Sequence, residues 1–353
     1  MTQRGRWLKA SDPLDCDQWR KLLSRFPNEA RDIYFFPEYV ALYEEDGAKG
    51  TCFSYEVGEA VFLYPFLIQP IAKHPGKFDI TTPYGYGGPI SNSTDASFVQ
   101  AAFAAFSYEA LQRGIVAELI KFHPLLGNHR LAEFGFEGHV QDISRTVYVD
   151  IEQDETHRWE KIYTHSNRKN IQKSRRAGIT VRFGHEPSAW NAYRQLYSET
   201  MQKNQAQASY YFSEEYYHAI RTTLPANHIL AYAILDGRIV SVLLLLLGSE
   251  DAHCHLIGTD REVMSLGVNN LVHHQVISWC KDNDYKRLHI GGGRSPSPDD
   301  SLYRFKANFS DISVPFHVGE RILDQPLYRR LCDEWTDLNP EKELSHRLLK
   351  YRY

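Results

Sequence analysis

The residues with the most chemistry in one stretch run from His289 to Ser310, HIGGGRSPSPDDSLYRFKANFS. Gly291, Gly292 and Gly293 remove every Cβ from the exit of a short apolar strand, so the backbone there can take positive φ and bring N–H groups close to a ligand. Aromatic and cationic residues then alternate at Tyr303, Arg304, Phe305 and Lys306, setting ring surfaces beside positive charge. Asp299 and Asp300 offer carboxylates for a base, although Asp ahead of Ser and an apolar segment equally caps a helix. His253 and His255 lie two apart on a predicted strand and so share a face, which suits substrate binding or a proton relay at neutral pH. Two histidines without a third partner are too few for zinc, and no metal site is expected. Taken alone, the glycines also read as a tight turn before a surface segment, and Lys306 as a snorkelling surface lysine.

A second concentration of charge lies mid-chain in HRWEKIYTHSNRKNIQKSRRAGITVRF. The pattern predicts a basic helix over 156–178, stopped by Gly178 in the position after the C-cap. Lys169, Lys173 and Arg176 share one face at i, i+4 and i+7 spacing, with Arg168 and Arg175 beside them. Like charges this close repel, so the helix gains from an anionic partner; a solvated surface face is the plainer alternative.

Composition narrows the classes. At 353 residues with 42% hydrophobic content, the chain can supply cores for two domains. A net charge of −4 gives no global attraction to nucleic acid or an anionic membrane, so such contact must come from a local patch. The 22 tyrosines fit a large ligand groove, and dense cores explain them equally well. Cys16, Cys52, Cys254, Cys280 and Cys332 are too scattered for a disulfide scaffold or a zinc site. The N-terminus lacks the apolar core of a signal peptide, and the run Ile239 to Leu247 is less than half the roughly 20 residues a membrane helix needs. A soluble, cytoplasmic protein without membrane insertion is expected.

The elements that must position these residues come in a repeated order. Leu14 to Phe26 and Pro37 to Glu45 read as helices, Thr51 to Val57 and Ala60 to Pro70 as a hairpin about Gly58-Glu59, 96 to 114 as a long helix capped by Asp95, and Val116 to Phe122 as a strand. The second half repeats that order. Helices over Ala189 to Lys203 and Ser213 to Leu224 precede a hairpin about Asp236-Gly237 (Ile229 to Leu247), a strand Ala252 to Thr259, a helix Val268 to Asp282, and the strand entering the glycines. The two hairpin turns are about 180 residues apart, which points to a duplicated α/β unit. A hairpin followed by helix and strand is the order GNAT acyltransferases use, although fold alone does not fix function. Leu327, Leu331, Trp335 and Leu338 predict a C-terminal helix that packs on its own chain or on a partner, and oligomeric state is not readable.

Four motifs in order, YGYGGP at Tyr84 to Pro89, SNRKNIQKSRRAGI, ETMQKNQAQASYYF at Glu199 to Phe212, and GGG followed by DDSLYRFKANF, resemble the Fem-type transferases. The resemblance runs from the first hairpin to Phe309. It implies two tandem GNAT-like domains, each a mostly antiparallel mixed sheet flanked by helices: domain 1 over 1–150, domain 2 over 151–325, and a C-terminal helical segment over 326–353. It further implies acyl transfer onto an amine, with aminoacyl-tRNA as donor and a peptidoglycan precursor or small molecule as acceptor. By the same resemblance Phe305 and Lys306 match the family's Phe-Lys pair, with the lysine near the phosphate of the tRNA terminus, and Tyr210 and Tyr211 match its acceptor-contacting aromatic pair. The coiled-coil arm of some members is absent.

Such chemistry requires an amine that loses its proton, stabilisation of the oxyanion, and a hold on the donor's anionic body. Lys306 is the expected catalytic cation. Tyr84, Tyr86, Lys203, Tyr210, Tyr211, His255, Asn270, Gly291, Gly292, Arg304 and Phe305 are the expected substrate contacts, although Asn269 and Asn270 also read as helix caps. Arg168, Lys169, Lys173 and Arg176 are the expected RNA contacts. The base is left open. No cofactor is expected beyond the co-substrate, and Cys254 and Cys280 read as core residues. A CoA-type donor needs a glycine-bearing pyrophosphate loop, Q/R-x-x-G-x-G/A, and Glu262 to Gly267 departs from it at Glu262 and Ser265. Acyl-CoA is therefore the alternative donor.

Overall fold

The computed structural model describes residues 5–342 and 347–353, which form two compact units, 1–143 with 316–353, and 144–315. Unit 1 thus ends at Ile143 rather than at 150, and the C-terminal segment read as separate belongs to it.

In unit 1, β1 (Arg6–Lys9), α1 (Pro13–Leu23) and α2 (Pro37–Ala41) precede β2 (Lys49–Val57) and β3 (Ala60–Pro70), followed by β4 (Phe78–Thr81), the short β5 (Ile90–Ser91), α3 (Ala96–Gln112) and β6 (Ile115–Lys121). The strands order β1-β2-β3-β4-β6, with β4 and β6 parallel and β5 set against β3. Asp95 caps α3 by accepting the Ser97 N–H, and Phe98, Ala102, Phe106 and Ala110 turn the expected stripe onto Phe53, Phe62 and Phe66 of the hairpin.

The chain then follows β7 (His139–Asp150) into unit 2. The predicted continuous basic helix is broken there. α4 (Glu155–His157) runs into a π turn over Arg158–Ile162, Tyr163 is extended, and α5 (His165–Arg176) starts afresh at Thr164, whose hydroxyl caps the Asn167 N–H. β8 (Thr180–Gly184), α6 (Pro187–Lys203), α7 (Glu214–Thr223), β9 (His228–Leu235), β10 (Arg238–Leu247), β11 (Asp251–Thr259), α8 (Val268–Asp282), β12 (Arg287–Gly292) and α9 (Ser301–Ala307) follow. The sheet orders β8-β9-β10-β11-β12-β7. Leu271, Val272, Val276 and Ile277 of α8 bury against Leu243, Leu245 and Leu247 of β10, and the alternate residues Val242, Leu244 and Leu246 are buried as well, with α6 against the same strand, so the apolar run there is unbroken.

β13 (Ser313–Ile322) returns the chain to unit 1, pairing antiparallel with β6, and α10 (Gln325–Leu338) follows. Leu327 and Leu331 pack on Ile71 and Val116, so the C-terminal helix docks on its own chain, while Leu338 is exposed. Both units therefore carry helices, hairpin, strand, helix and parallel strand in the same order, a mixed α/β duplication. Among the described residues no helix is long and apolar enough to cross a membrane.

Candidate active site

In unit 2 the parallel strands β11 and β12 pair only from Asp251 with Arg287 to His253 with His289, and then part. Two bulges account for this. On β11 the register passes from Cys254 to Leu256 against β10, leaving His255 as the extra residue, and on β12 it passes from His289 to Gly291 against β7, leaving Ile290. A bulge bends its strand and takes the extra residue's backbone out of the ladder, so each strand is drawn toward its other neighbour. Unit 1 differs: β4 and β6 pair to Thr81 and Leu119 and are bridged again at Gly87 and Phe122.

Beyond the parting lies the glycine run. Gly291 has φ +88°, and a Cβ on Gly293 would stand 2.5 Å from Asp300 Oδ1, so the loop folds onto α9 only with glycine there. Asp300 is the N-cap of α9, accepting from Leu302 N at 3.0 Å and Tyr303 N at 2.9 Å, and from Arg294 N, Ser295 N and Ser295 Oγ at 3.2 Å. The Tyr303 N–H bond leads the interactions that hold its carboxyl below the usual range. Asp300 is thus a cap and not a base, and exposed Asp299 lies 3.7 Å from Arg304, turning that guanidinium outward.

Lys306 projects from α9 and donates to the Gly292 carbonyl at 2.8 Å. Burial lowers its pKa to about 8, opposed by Cys254 and Asp300. It is a half-buried cation, not a snorkelling surface lysine. Burial pushes the Cys254 thiol up to about 12 and raises Cys280, so neither is a thiolate nucleophile at neutral pH. Phe305 packs edge-on to His273 at 5.2 Å and Phe309 at 5.4 Å, which makes it a support under α9.

The histidines separate. His255, the bulged residue, lies 2.8 Å from the Tyr216 hydroxyl, whereas His253 sits 3.4 Å from His289. Burial, with His253 nearby, lowers the His255 pKa to about 3, so the ring is neutral at physiological pH. Asn270 donates to Asn167 at 2.9 Å and ties α8 to α5 instead of lining a groove.

Tyr210 and Tyr211 are exposed, their backbone anchored by a Tyr197 hydroxyl bond to the Tyr210 carbonyl at 3.0 Å. Lys203 is exposed with Nζ 3.6 Å from Met264 Sδ. Met264 belongs to the 3-10 turn Arg261–Leu266, the stretch compared above with a pyrophosphate loop. α5 lies on that turn: Lys173 donates to Ser265 O and Ser174 to Leu266 O, both at 2.7 Å. A Cβ on Gly267 would meet Asn170 Cβ and O at 2.8 Å, so the glycine admits the helix. Of the four basic residues, Arg168 is spent on the carbonyls of Trp159, Glu160 and Tyr163, and Lys173 on Ser265, while Lys169 and Arg176 stay exposed.

In unit 1, YGYGGP forms an aromatic clasp. The Tyr39 hydroxyl donates to Tyr84 O at 2.6 Å, and Tyr86 meets Tyr34 at 5.5 Å and Phe316 at 5.3 Å edge-on. Asn128 Nδ2 ties down Gly87 O at 2.8 Å and Pro89 O at 2.9 Å. Tyr84 and Tyr86 thus pack within the unit. Sequence reasoning missed the buried pair His123 and Asp32, 3.5 Å apart beside these rings. Nothing in their spacing signals it, because tertiary packing alone joins them.

Residues 165–306 match the acetyltransferase (GNAT) domain family. No curated protein matches the chain by sequence. Among solved structures, FemX is 14% identical with a TM-score of 0.68, covering 89% of this chain and 97% of its own. L-PGS from Bacillus licheniformis is 13% identical, with a TM-score of 0.57 and coverage of 97% and 96%. A tandem GNAT protein from the clavulanic acid biosynthesis pathway is 8% identical, with a TM-score of 0.52 and coverage of 91% and 99%. Residues 165–306 thus match a GNAT domain family, and the chain shares across both units the fold of FemX and of the tandem GNAT protein.

Proposed function

We propose that this protein is an acyltransferase that moves an aminoacyl group from tRNA onto an amine acceptor and forms an amide. The observation that carries the reading is Lys306, a half-buried cation bonded to Gly292 O beside the parting of β11 and β12. In the reaction the acceptor nitrogen attacks the ester carbonyl, the C–N bond forms, the ester C–O bond breaks, and the tRNA hydroxyl leaves with a proton. Lys306 neutralises the phosphate of the tRNA terminus and the negative charge that grows on the oxyanion. The ester is already activated, so no covalent enzyme intermediate is needed, in keeping with thiols that stay protonated. Exposed Lys169 and Arg176 offer charge to the RNA backbone, and Tyr210 and Tyr211 offer rings to the acceptor. The acceptor class is a peptidoglycan precursor or a small-molecule amine.

One observation favours a thioester donor: the match of 165–306 to an acetyltransferase domain. Against it stands the loop before α8, where Glu262 and Ser265 replace the polar or basic residue and the first glycine of a pyrophosphate loop. The deciding experiment supplies radiolabelled aminoacyl-tRNAs and labelled acetyl-CoA in parallel, with an extract of small amines. RNase-sensitive transfer from tRNA supports the aminoacyl reading; transfer from acetyl-CoA alone overturns it.

A further inference from the structure

α9 is held at both ends. At its N-terminus stands the Asp300 cap, and at its C-terminus Asn308 is the C-cap residue. The carbonyl of Asn308 accepts Asn167 Nδ2 at 2.9 Å, and its Oδ1 accepts the Thr164 hydroxyl at 2.8 Å. Asn167 is 1% exposed, and its Oδ1 accepts Asn270 Nδ2 at 2.9 Å. One buried amide therefore joins α5, α8 and the last turn of α9, with its donor and its acceptor both used. Burying an amide is unfavourable unless its polar atoms are bonded, so the position is specific for asparagine: leucine would leave Asn308 O and Asn270 Nδ2 without these partners.

We propose that Asn167 is a positioning residue for Lys306, fixing the last turn of α9 through Asn308 and so holding the ammonium against Gly292. The inference rests on the reading of Lys306 as the working cation and adds what sets its place. A helix of seven residues has little stability by itself, so its final turn depends on tertiary anchors. Lys306 stands two positions before the anchored carbonyl. Without the anchor that turn frays, the ammonium regains water, and its titration returns toward that of an ordinary lysine. Because Asn167 lies on α5, the helix that carries Lys169 and Arg176 also sets where the Lys306 charge lies.

The test measures the protonation of Lys306 directly. The full chain is labelled with trace acetic anhydride across pH 6–11, and mass spectrometry follows Lys306 against exposed Lys281. In Asn167→Ala the Lys306 midpoint is expected to rise from near 8 by at least about half a unit, with Lys281 unmoved. A loss of packing alone would lower the melting temperature and leave the Lys306 midpoint in place. Thr164→Val, at an exposed position, serves if Asn167→Ala fails to fold, and a smaller shift in the same direction is expected. An unmoved Lys306 midpoint in whichever variant folds overturns the proposal. The measurement uses no donor or acceptor, so its result stands apart from that of the transfer assay.

Discussion

Lys306 Nζ stands 2.8 Å from the carbonyl oxygen of Gly292, so one side chain ties the short helix α9 back to the strand that leads into it. That strand has just parted from β11, its parallel neighbour. The bond fixes a cation at the opening.

Removing that cation is the first check on function. Lys306→Met is expected to lower kcat by about 10²-fold or more, the order found when one preorganised charge stabiliser is lost. Lys306→Arg, which keeps the charge in a different shape, is expected to recover part of it. Rates with labelled donor decide, and wild-type turnover in Lys306→Met would remove the assignment.

The same lysine predicts a pH dependence. Its pKa is about 8 in the folded chain against 10.5 for an ordinary lysine, so the unfolded state binds more protons between those values. Folding stability is therefore lowered by this group at neutral pH, and the deficit fades as pH rises from about 8 toward 10.5. Activity runs the other way: a reaction that needs the cation declines above about pH 8. A kcat profile measured from pH 6 to 10 tests this, and Lys306→Arg is expected to move the decline to higher pH.

Gly267 gives a prediction about stability. It has φ +78°, and Asn170 Cβ and O would lie 2.8 Å from an added Cβ. Gly267→Ala is expected to cost roughly 1–3 kcal/mol, since both strain and overpacking oppose it. Urea unfolding measures the loss. Asn170→Gly is not expected to repair it, because the backbone oxygen of residue 170 remains.

Exposed Lys169 and Arg176 predict a salt dependence. If they meet RNA phosphates, Lys169→Ala with Arg176→Ala weakens tRNA binding and makes log K less steep against log salt, by roughly 0.7 for each lost single-strand phosphate contact. Filter binding at several salt concentrations reads the slope. An unchanged slope would place the RNA elsewhere, or nowhere.

Much of the fold was legible in local signals. The helix Val268–Asp282 and the hairpin turns at Gly58 and Asp236 lie where apolar period and turn chemistry put them. The strands His139–Asp150 and Ser313–Ile322 were missed, being only partly buried and lacking a clean alternation. The basic helix was read too long, because charge period continued through Tyr163 while the Thr164 cap restarted the helix. Among site residues, Lys306 bonds the Gly292 carbonyl at the strand exit, a pairing that its motif does not spell out. Asn270 and Phe305 became supports, since each found a buried partner that sequence spacing does not reveal, and Arg168 turned to the carbonyls of the preceding turn.

By itself the sequence determined the duplicated α/β order, the capping of α9 by Asp300, and the glycines that let the loop close on it. These are properties of neighbours along the chain, where propensity and sterics act directly. Only the tertiary structure decided that β11 and β12 part, that His255 faces Tyr216 and not the side of His253, and that Asn167 reaches Asn308. The parting depends on two bulges whose registers are set by different partner strands, and the asparagine bond joins residues far apart in sequence. Pairings of that kind come from the packing of the whole unit and leave no period in the sequence.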